Sequence, residues 1–216
     1  LRGWWKQYGG WATGIVLVVA LGWLGWYGWQ SYLKSQNAEA SRIFLVLQQA
    51  SAQQDTSRVK QAAGELVNQY PRSQFTALGA LLAANTLDAA GDPKSAEAQL
   101  TWVAENGKDA LRGVARLRLA GIQMDQQNYD GALKTLSETA PAGFAARYDA
   151  ARGDVYAAQG KVVEARASYD AALKNLEVNG KDVTPSTEFA GSEPGQLLRR
   201  LVVEKRDAMT STVVAK

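Results

Sequence analysis

The chain has 216 residues, with 24 basic and 21 acidic side chains and neither cysteine nor histidine. Its length suits one soluble domain with a short additional segment, and a second large domain has no room. Because cysteine and histidine are absent, disulfide bonds, thiolate or imidazole metal ligands, and Ser-His or Cys-His catalysis are excluded.

The excess of positive charge lies near the N-terminus. Arg2, Lys6 and Lys34 precede the first acidic residue, Glu39, so the other 21 basic residues balance the 21 acidic ones. Nucleic-acid binding needs a concentrated basic face that releases counterions from phosphates. We therefore expect no nucleic-acid partner.

Residues 11–29 form the first predicted element, an apolar segment (WATGIVLVVALGWLGWYGW) with no charge between Lys6 and Lys34. As a helix this segment is about 28 Å long, close to the roughly 30 Å of a bilayer's hydrocarbon core. Six of the seven tryptophans fall within the first 29 residues, and aromatic side chains gather at both ends of the segment, where the headgroups would lie. The pattern predicts a single transmembrane helix.

The alternatives to a spanning helix are a cleaved signal peptide and a buried core helix. Bulky Trp23, Trp26 and Trp29 stand where a signal peptide would have a small-residue cleavage site. A short basic tail favours an N-terminus on the cytoplasmic side, since long domains are translocated largely regardless of charge. We expect further cytoplasmic residues before Leu1.

Small residues in the predicted span could allow another helix to approach closely. They form a pair four residues apart, followed by a run with a spacing of three: Gly10 and Gly14, then Gly22, Gly25 and Gly28. The alternative is that glycine is simply common in membrane helices.

The rest of the chain predicts helices only, separated by short turns rich in glycine, proline, asparagine and aspartate. The breaks fall near residues 55, 70, 91, 106, 127, 141 and 160, and a longer one covers 179–195. Each interval has the length of one helix, and no alternating strand pattern interrupts them.

Alanines at residues 62, 96, 132 and 165 recur about every 34 positions, and each is followed four residues later by a larger apolar side chain: Leu66, Leu100, Leu136 and Tyr169. Residues four apart share one helix face, so a small residue lets a second helix pack closely and the larger one fills the space beside it. This is the seam of an α-solenoid built from helical hairpins.

Residues 147–176 form the clearest repeat and resemble a tetratricopeptide repeat, through Gly153, Tyr156, Gly160, Ala165 and Tyr169. Asp149 and Arg152 replace the expected tryptophan and leucine. An irregular helical bundle is the alternative, because alanine-rich helices can produce such spacings by chance.

Residues 193–209 predict a final helix with an apolar stripe and a basic face that includes Arg199, Arg200, Lys205 and Arg206. A terminal helix with a polar outer face is typical of a solenoid cap. The basic face could instead contact acidic lipid.

In tetratricopeptide solenoids the first helix of each hairpin lines the concave side. Transferring that register predicts a protein-binding groove at Phe44, Leu47, Leu78, Leu81, Val114, Leu117, Arg147 and Asp154. An apolar groove with polar edges suits extended segments or a partner helix. Many of these side chains could equally be hairpin core.

The sequence offers no catalytic, metal-binding or cofactor-binding residues. Acid pairs such as Asp125 with Asp130 lie at ordinary turn positions, without a glycine-rich phosphate loop or a ligand cluster beside them. We expect a protein that is not an enzyme.

Nearly the whole chain resembles the YfgM family, the ancillary subunits of the bacterial Sec translocon. Beyond the shared order of basic tail, tryptophan-rich span, four hairpins and terminal helix, several local segments carry the resemblance: Gly22-Trp-Leu-Gly-Trp-Tyr, Leu117-Arg-Leu-Ala, Ala132-Leu-Lys-Thr-Leu, Arg152-Gly-Asp, Gly160-Lys and Asp182-Val-Thr-Pro.

The resemblance implies an inner-membrane protein held beside the SecYEG translocon and paired with a PpiD-type chaperone, where it handles translocating polypeptides. With this topology, the sequence predicts a cytoplasmic tail end and transmembrane helix (1–34), a periplasmic tetratricopeptide-like domain (35–209) and a flexible tail (210–216). The expected fold is all-α: the single transmembrane helix, an α-solenoid of about four helical hairpins, and a C-terminal capping helix.

Two other functions stay open. One is an envelope scaffold that binds folded partners and touches no translocating chain. The other is a regulatory tether that sequesters a cytoplasmic factor through its N-terminal tail.

Overall fold

The computed structural model describes the backbone of residues 2–182 and 194–214, and the side chains of residues 18–24, 26, 27, 29, 36–177 and 195–209. Within these residues the chain is helical and contains no strand. The helices are α1 (Arg2–Ala52), α2 (Thr56–Gln69), α3 (Gln74–Ala89), α4 (Pro93–Asn106), α5 (Asp109–Asp125), α6 (Tyr129–Ser137), α7 (Ala145–Ala158), α8 (Val162–Asp182) and α9 (Pro194–Val214).

Local side-chain chemistry sets where several of these helices begin. The side chains of Asp55, Asp92 and Asn128 each accept a hydrogen bond from the backbone N–H three residues later, at 3.0, 3.1 and 3.1 Å. Such caps satisfy amides that have no partner inside the helix. The turn at Gly160 requires a positive φ of 72°, which glycine adopts without strain. The seven short predicted breaks are therefore confirmed by the helix bounds. Most of the longer break predicted at 179–195 lies outside the described residues, and α8 continues to Asp182.

The helices pair into consecutive antiparallel hairpins, α1–α2, α3–α4, α5–α6 and α7–α8, and α9 packs on α8. The first helices of successive hairpins also contact one another, α1 with α3, α3 with α5 and α5 with α7. No comparable contact joins successive second helices in the described part of the chain. Neighbours are closer on the inside of a curved stack, so the first helices form its inner layer.

The predicted seam is confirmed, because all eight of its residues are buried. On the second helices α2, α4, α6 and α8, the repeated alanines are 0–4% exposed and their larger partners 0–2% exposed: Ala62, Ala96, Ala132 and Ala165 with Leu66, Leu100, Leu136 and Tyr169. Burying a leucine-sized side chain contributes about 1.5–3 kcal/mol, so the larger residues of the seam supply a substantial part of the stabilisation of the core.

Helix α1 runs without a break from Arg2 to Ala52. It therefore crosses the predicted boundary between residues 34 and 35 and supplies the first helix of the first hairpin. Residues 11–17 of the predicted span, and the predicted packing glycines Gly10, Gly14, Gly25 and Gly28, lie outside the residues whose surroundings are described. At Gly22 an added Cβ would meet no atom within 4 Å. Helix packing through these glycines stays a prediction.

Among the residues that the structure describes, no helix combines the length and the apolar character that crossing a bilayer requires.

The final helix packs on the last hairpin as a terminal cap would. Val202 is 1% exposed and joins a cluster with Ala150, Ala165 and Tyr169. The backbone of α9 continues to Val214, beyond residue 209, where we predicted that the domain ends. The flexible character of residues 210–216 stays a prediction, since their side chains lie outside the described residues.

Candidate protein-binding groove

The inner layer of first helices brings the predicted groove residues onto one side of the stack, but with unequal exposure. Leu47 is 0% and Leu81 is 8% exposed, and both belong to the large core cluster around α1–α4. These two side chains support the hairpins from within. Their assignment to a binding groove stays a prediction. Because both side chains are buried, a partner in the groove would contact their exposed neighbours instead.

Three apolar residues are partly buried and form the wall of this surface. Phe44 packs against Phe75, with ring centroids 5.7 Å apart, and so joins α1 to α3. Val114 lies between two core clusters, and Leu117 packs on the second of them. Leu78 is 40% exposed and is the predicted apolar residue that projects furthest into solvent.

The two polar residues predicted in the last hairpin have different surroundings. Arg147 is exposed, and its guanidinium lies 5.4 Å from the centre of the Phe144 ring, within the range of a cation–π contact. Asp154 accepts hydrogen bonds from the Lys205 ammonium of α9 at 2.7 and 2.9 Å and from the Tyr169 hydroxyl at 2.9 Å. Asp154 is therefore already paired with a side chain of α9, the helix that packs on α8.

These contacts fix the protonation state of Tyr169. Burial raises the pKa of the Tyr169 hydroxyl above its usual value near 10, and the neighbouring Asp154 carboxylate raises it further. The hydroxyl therefore stays a hydrogen-bond donor across ordinary pH and ties α8 to α7.

The substitution of the expected tryptophan and leucine by Asp149 and Arg152 also has a structural explanation. Asp149 is 5% exposed, forms an ion pair with Arg152 and accepts a hydrogen bond from the Asn175 amide at 2.6 Å. Arg152 in turn donates to the Leu136 carbonyl at 3.0 Å, near the C-terminal end of α6. A buried polar network thus joins α6, α7 and α8 where a typical repeat uses apolar packing.

A cavity of about 200 Å³ lies between α3, α4 and α5 on the same inner surface. Its polar lining consists of Asn85, Asp88, Arg118 and Asp125, and its walls include Gly121. Within the described residues, none of its three charged side chains forms an ion pair. Sequence reasoning missed this cavity, although Asn85 and Gly121 follow the predicted Leu81 and Leu117 by four residues, one helical turn, and could have been found by extending the stripe.

Together these features form a long surface with an apolar wall, a central polar cavity and a closed C-terminal end. It offers side chains that can contact an extended chain or a helix, with exposed polar groups for its backbone. In the described parts of the chain, no group of three or more carboxylates is placed to hold a metal ion.

Comparison with known proteins agrees with this geometry. Residues 2–187 match the model of a family described as a tetratricopeptide repeat-like domain. A protein from Neisseria gonorrhoeae named "Ancillary SecYEG translocon subunit" is 35% identical over 80% of this chain and 83% of its own length.

Two further relatives carry the same name. The protein from Haemophilus influenzae is 29% identical over 81% of this chain and 86% of its own length. The protein from Escherichia coli K12 is 31% identical over 53% of each chain. The chain therefore belongs to the tetratricopeptide repeat-like family of ancillary SecYEG translocon subunits, the YfgM family.

Proposed function

We propose that the chain is a membrane-anchored, non-catalytic protein-binding subunit at the periplasmic exit of the Sec translocon. In this role it cooperates with a PpiD-type chaperone in handling translocated proteins. The N-terminus lies in the cytoplasm, residues 11–29 cross the inner membrane once, and the solenoid stands in the periplasm.

The observation that carries this proposal is the continuity of α1 from Arg2 to Ala52. The helix that contains the apolar segment also provides Phe44 and the first part of the inner surface. The stretch from Trp29 to Ala52 is about 35 Å long at 1.5 Å per residue. A groove attached in this way would stay within a few nanometres of the membrane, with no flexible linker to dilute it.

Confinement of this kind raises the effective concentration of the groove for any chain that emerges nearby. Weak, poorly specific contacts then suffice, which suits a surface with an exposed apolar residue, Leu78, and a mixed polar cavity. Association with the SecYEG translocon is supported by the name that all three relatives carry. The role of the span glycines in helix packing belongs to the same proposal.

The test is photo-crosslinking in intact membranes from a photoreactive amino acid placed at Leu78, Leu117 or Arg147 in turn. Leu81 is not used because its side chain is buried. The matched control is Thr101, an exposed residue of the second helix α4. We expect adducts with translocon subunits, a membrane-bound chaperone or secretory chains from the groove sites, identified by mass spectrometry, and few from Thr101.

Adducts from the groove sites only to folded envelope proteins unconnected with secretion would replace this proposal with the scaffold. If deletion of the cytoplasmic tail impairs function in cells and deletion of the solenoid does not, the chain is instead a regulatory tether.

A further inference from the structure

The turn between α2 and α3, residues 70–73, contacts the helix segment that we assign to the membrane boundary. The guanidinium carbon of Arg72 lies 5.9 Å from the centre of the Trp29 ring. This contact joins the membrane-side end of the first hairpin to Trp29, the last tryptophan of an aromatic cluster in α1 (residues 23–29). It therefore places the turn beside residue 29 of α1.

The aromatic cluster marks a level in the bilayer. Trp23, Trp26, Tyr27 and Trp29 are 50–66% exposed although they are large and mostly apolar. Such side chains concentrate where the acyl chains meet the headgroups. Because Arg72 reaches Trp29, its guanidinium lies at headgroup level if α1 crosses the membrane.

Beside this contact is a cavity of about 320 Å³ between α1 and the turn. Most of the residues that line it have polar side chains, although their apolar atoms also contribute surface: Gln36, Asn37, Asn68, Gln69, Tyr70, Pro71, Arg72 and Ser73. Gln36 and Asn37 follow Trp29 by about two helical turns, or about 11 Å. The cavity therefore occupies the zone just outside the hydrocarbon core, where headgroups lie.

Of the described residues that line this cavity, Arg72 alone carries a formal charge, and it is positive. Among the described residues, no carboxylate pairs with it, and the side chain is exposed. A guanidinium whose carbon lies within cation–π distance of an aromatic ring still has N–H donors for a phosphate, which arginine binds in a bidentate manner. Amide side chains next to it supply further donors to phosphate and glycerol oxygens.

We propose that the α2–α3 turn rests on the membrane surface and that Arg72 binds the phosphate of a phospholipid headgroup, with the rest of the headgroup in the adjacent cavity. This site rests on the proposed membrane anchor. It adds a second contact with the membrane, which fixes the rotation and tilt of the solenoid, and hence the direction in which its groove faces.

The absence of cysteine makes a direct test practical, since one introduced cysteine can be labelled alone. The full chain is reconstituted in vesicles of phosphatidylcholine with or without phosphatidylglycerol, with an environment-sensitive fluorophore on Gln74→Cys. Gln74 is exposed and begins α3, two residues after Arg72. A lipid that carries a spin label on its headgroup quenches any fluorophore that lies at the surface.

We expect strong quenching at position 74 and more of it with the anionic lipid. Replacing Arg72 with alanine should lower the equilibrium constant for docking of the turn on the anionic surface about fivefold, which is the effect of one arginine at such a surface. Arg58→Ala is the matched control, because Arg58 is an exposed arginine at the opposite end of α2. A fluorophore on Gln53→Cys, just past the end of α1 and about 35 Å from Trp29, should be unquenched.

Resistance to alkaline extraction, measured on the same samples, separates the two proposals. A chain that resists extraction but shows no quenching at position 74, or equal quenching in Arg72→Ala and Arg58→Ala, overturns the headgroup site and leaves the anchor standing. A wild-type chain that alkali extracts overturns both.

Inorganic phosphate, added to the labelled protein in maltoside micelles, distinguishes the two sources of phosphate. A fluorescence response that depends on Arg72, without headgroup quenching in vesicles, would assign the cavity to a free anion and overturn the lipid assignment. No response in micelles, together with quenching in vesicles, supports it.

Discussion

The hairpins α3–α4 and α7–α8 share one seam but are held together differently. In α3–α4, alanines line the inner helix and Leu100 fills the space opposite, so packing is almost wholly apolar. In α7–α8, the Asp149 network and the pair of Asp154 with Lys205 supply directional contacts. Apolar packing tolerates partners of similar volume, whereas a buried polar network accepts only one geometry.

The two kinds of packing suit the positions of the two hairpins in the stack. Helix α9 closes the C-terminal end through Lys205 and Val202, and it needs a defined orientation on α7 and α8. Hairpin α3–α4 has neighbours on both sides and contributes the exposed Leu78 and Asn85 to the inner surface. Apolar packing holds this hairpin in the stack, and polar side chains such as Asn85 stay exposed on the inner surface.

The largest effect is expected in the apolar hairpin. Leu100→Ala leaves a cavity in the seam, because the side chain is 1% exposed, and should lower the free energy of unfolding by about 3 kcal/mol. Urea denaturation followed by circular dichroism of the full chain in detergent measures this. Thr101→Ala, the exposed neighbour, should change stability by less than about 0.5 kcal/mol. Equal effects would mean that the seam is not the core.

The polar hairpin should respond differently to single and paired changes. Asp149→Leu leaves Arg152 and Asn175 without their carboxylate partner and should lower the free energy of unfolding by about 2 kcal/mol. The double variant Asp149→Leu with Arg152→Leu removes both charges, and a large part of that loss should return. The measurement is a double-mutant cycle by urea denaturation. Strict additivity would show that the two side chains act independently.

Close packing of α7 on α8 can be tested at Gly153. An alanine Cβ there would lie 2.6 Å from Cδ1 of Tyr169, a ring that its own hydrogen bond holds in place. Gly153→Ala should therefore destabilise the chain by about 1–2 kcal/mol. Gly64→Ala is the control, since no atom lies within 4 Å of its Cβ, and it should be neutral or stabilising. A stabilising Gly153→Ala in thermal unfolding would contradict the packing.

The smallest effect concerns an exposed polar contact of the apolar hairpin. The Asp92 carboxylate accepts a hydrogen bond from the Lys60 ammonium, 2.5 Å away, and also caps α4 at Ser95, which lowers its pKa to about 2. A lowered folded-state pKa stabilises the fold above the ordinary value near 3.9 and loses this contribution as the pH falls towards 2.

Asp92→Asn should therefore lower the melting temperature at pH 6 and differ progressively less from wild type as the pH approaches 2. Thermal unfolding at several pH values measures the difference. Asp55→Asn is the control, because Asp55 caps α2 without an ion pair in the described structure. A difference from wild type that is constant from pH 6 to pH 2 would exclude a role for the carboxylate charge.

Much of the fold follows from local signals that the sequence displays openly. Cap residues such as Asp92 and Asn128, and turn glycines such as Gly160, stop and start helices through neighbours three or four residues away. The spacing of Ala96 and Leu100 repeats because each hairpin must bury the same seam.

The groove was less predictable, because exposure depends on residues that are distant in sequence. The register placed Leu47, Leu78 and Leu81 alike on first helices, yet only Leu78 reaches solvent, since the adjoining hairpins cover the other two. The central cavity depends on the separation of α3 and α5, which no local pattern encodes.

The sequence by itself determined the helices, their pairing about every 34 residues and the apolar segment, because these depend on periodicity and on groups close along the chain. Only the tertiary structure decided that Asp149 and Arg152 form a buried network, that Asp154 is taken by Lys205, and that Arg72 meets Trp29. Such contacts join residues 3 to 51 positions apart, and their energies depend on burial that exists only after the hairpins stack.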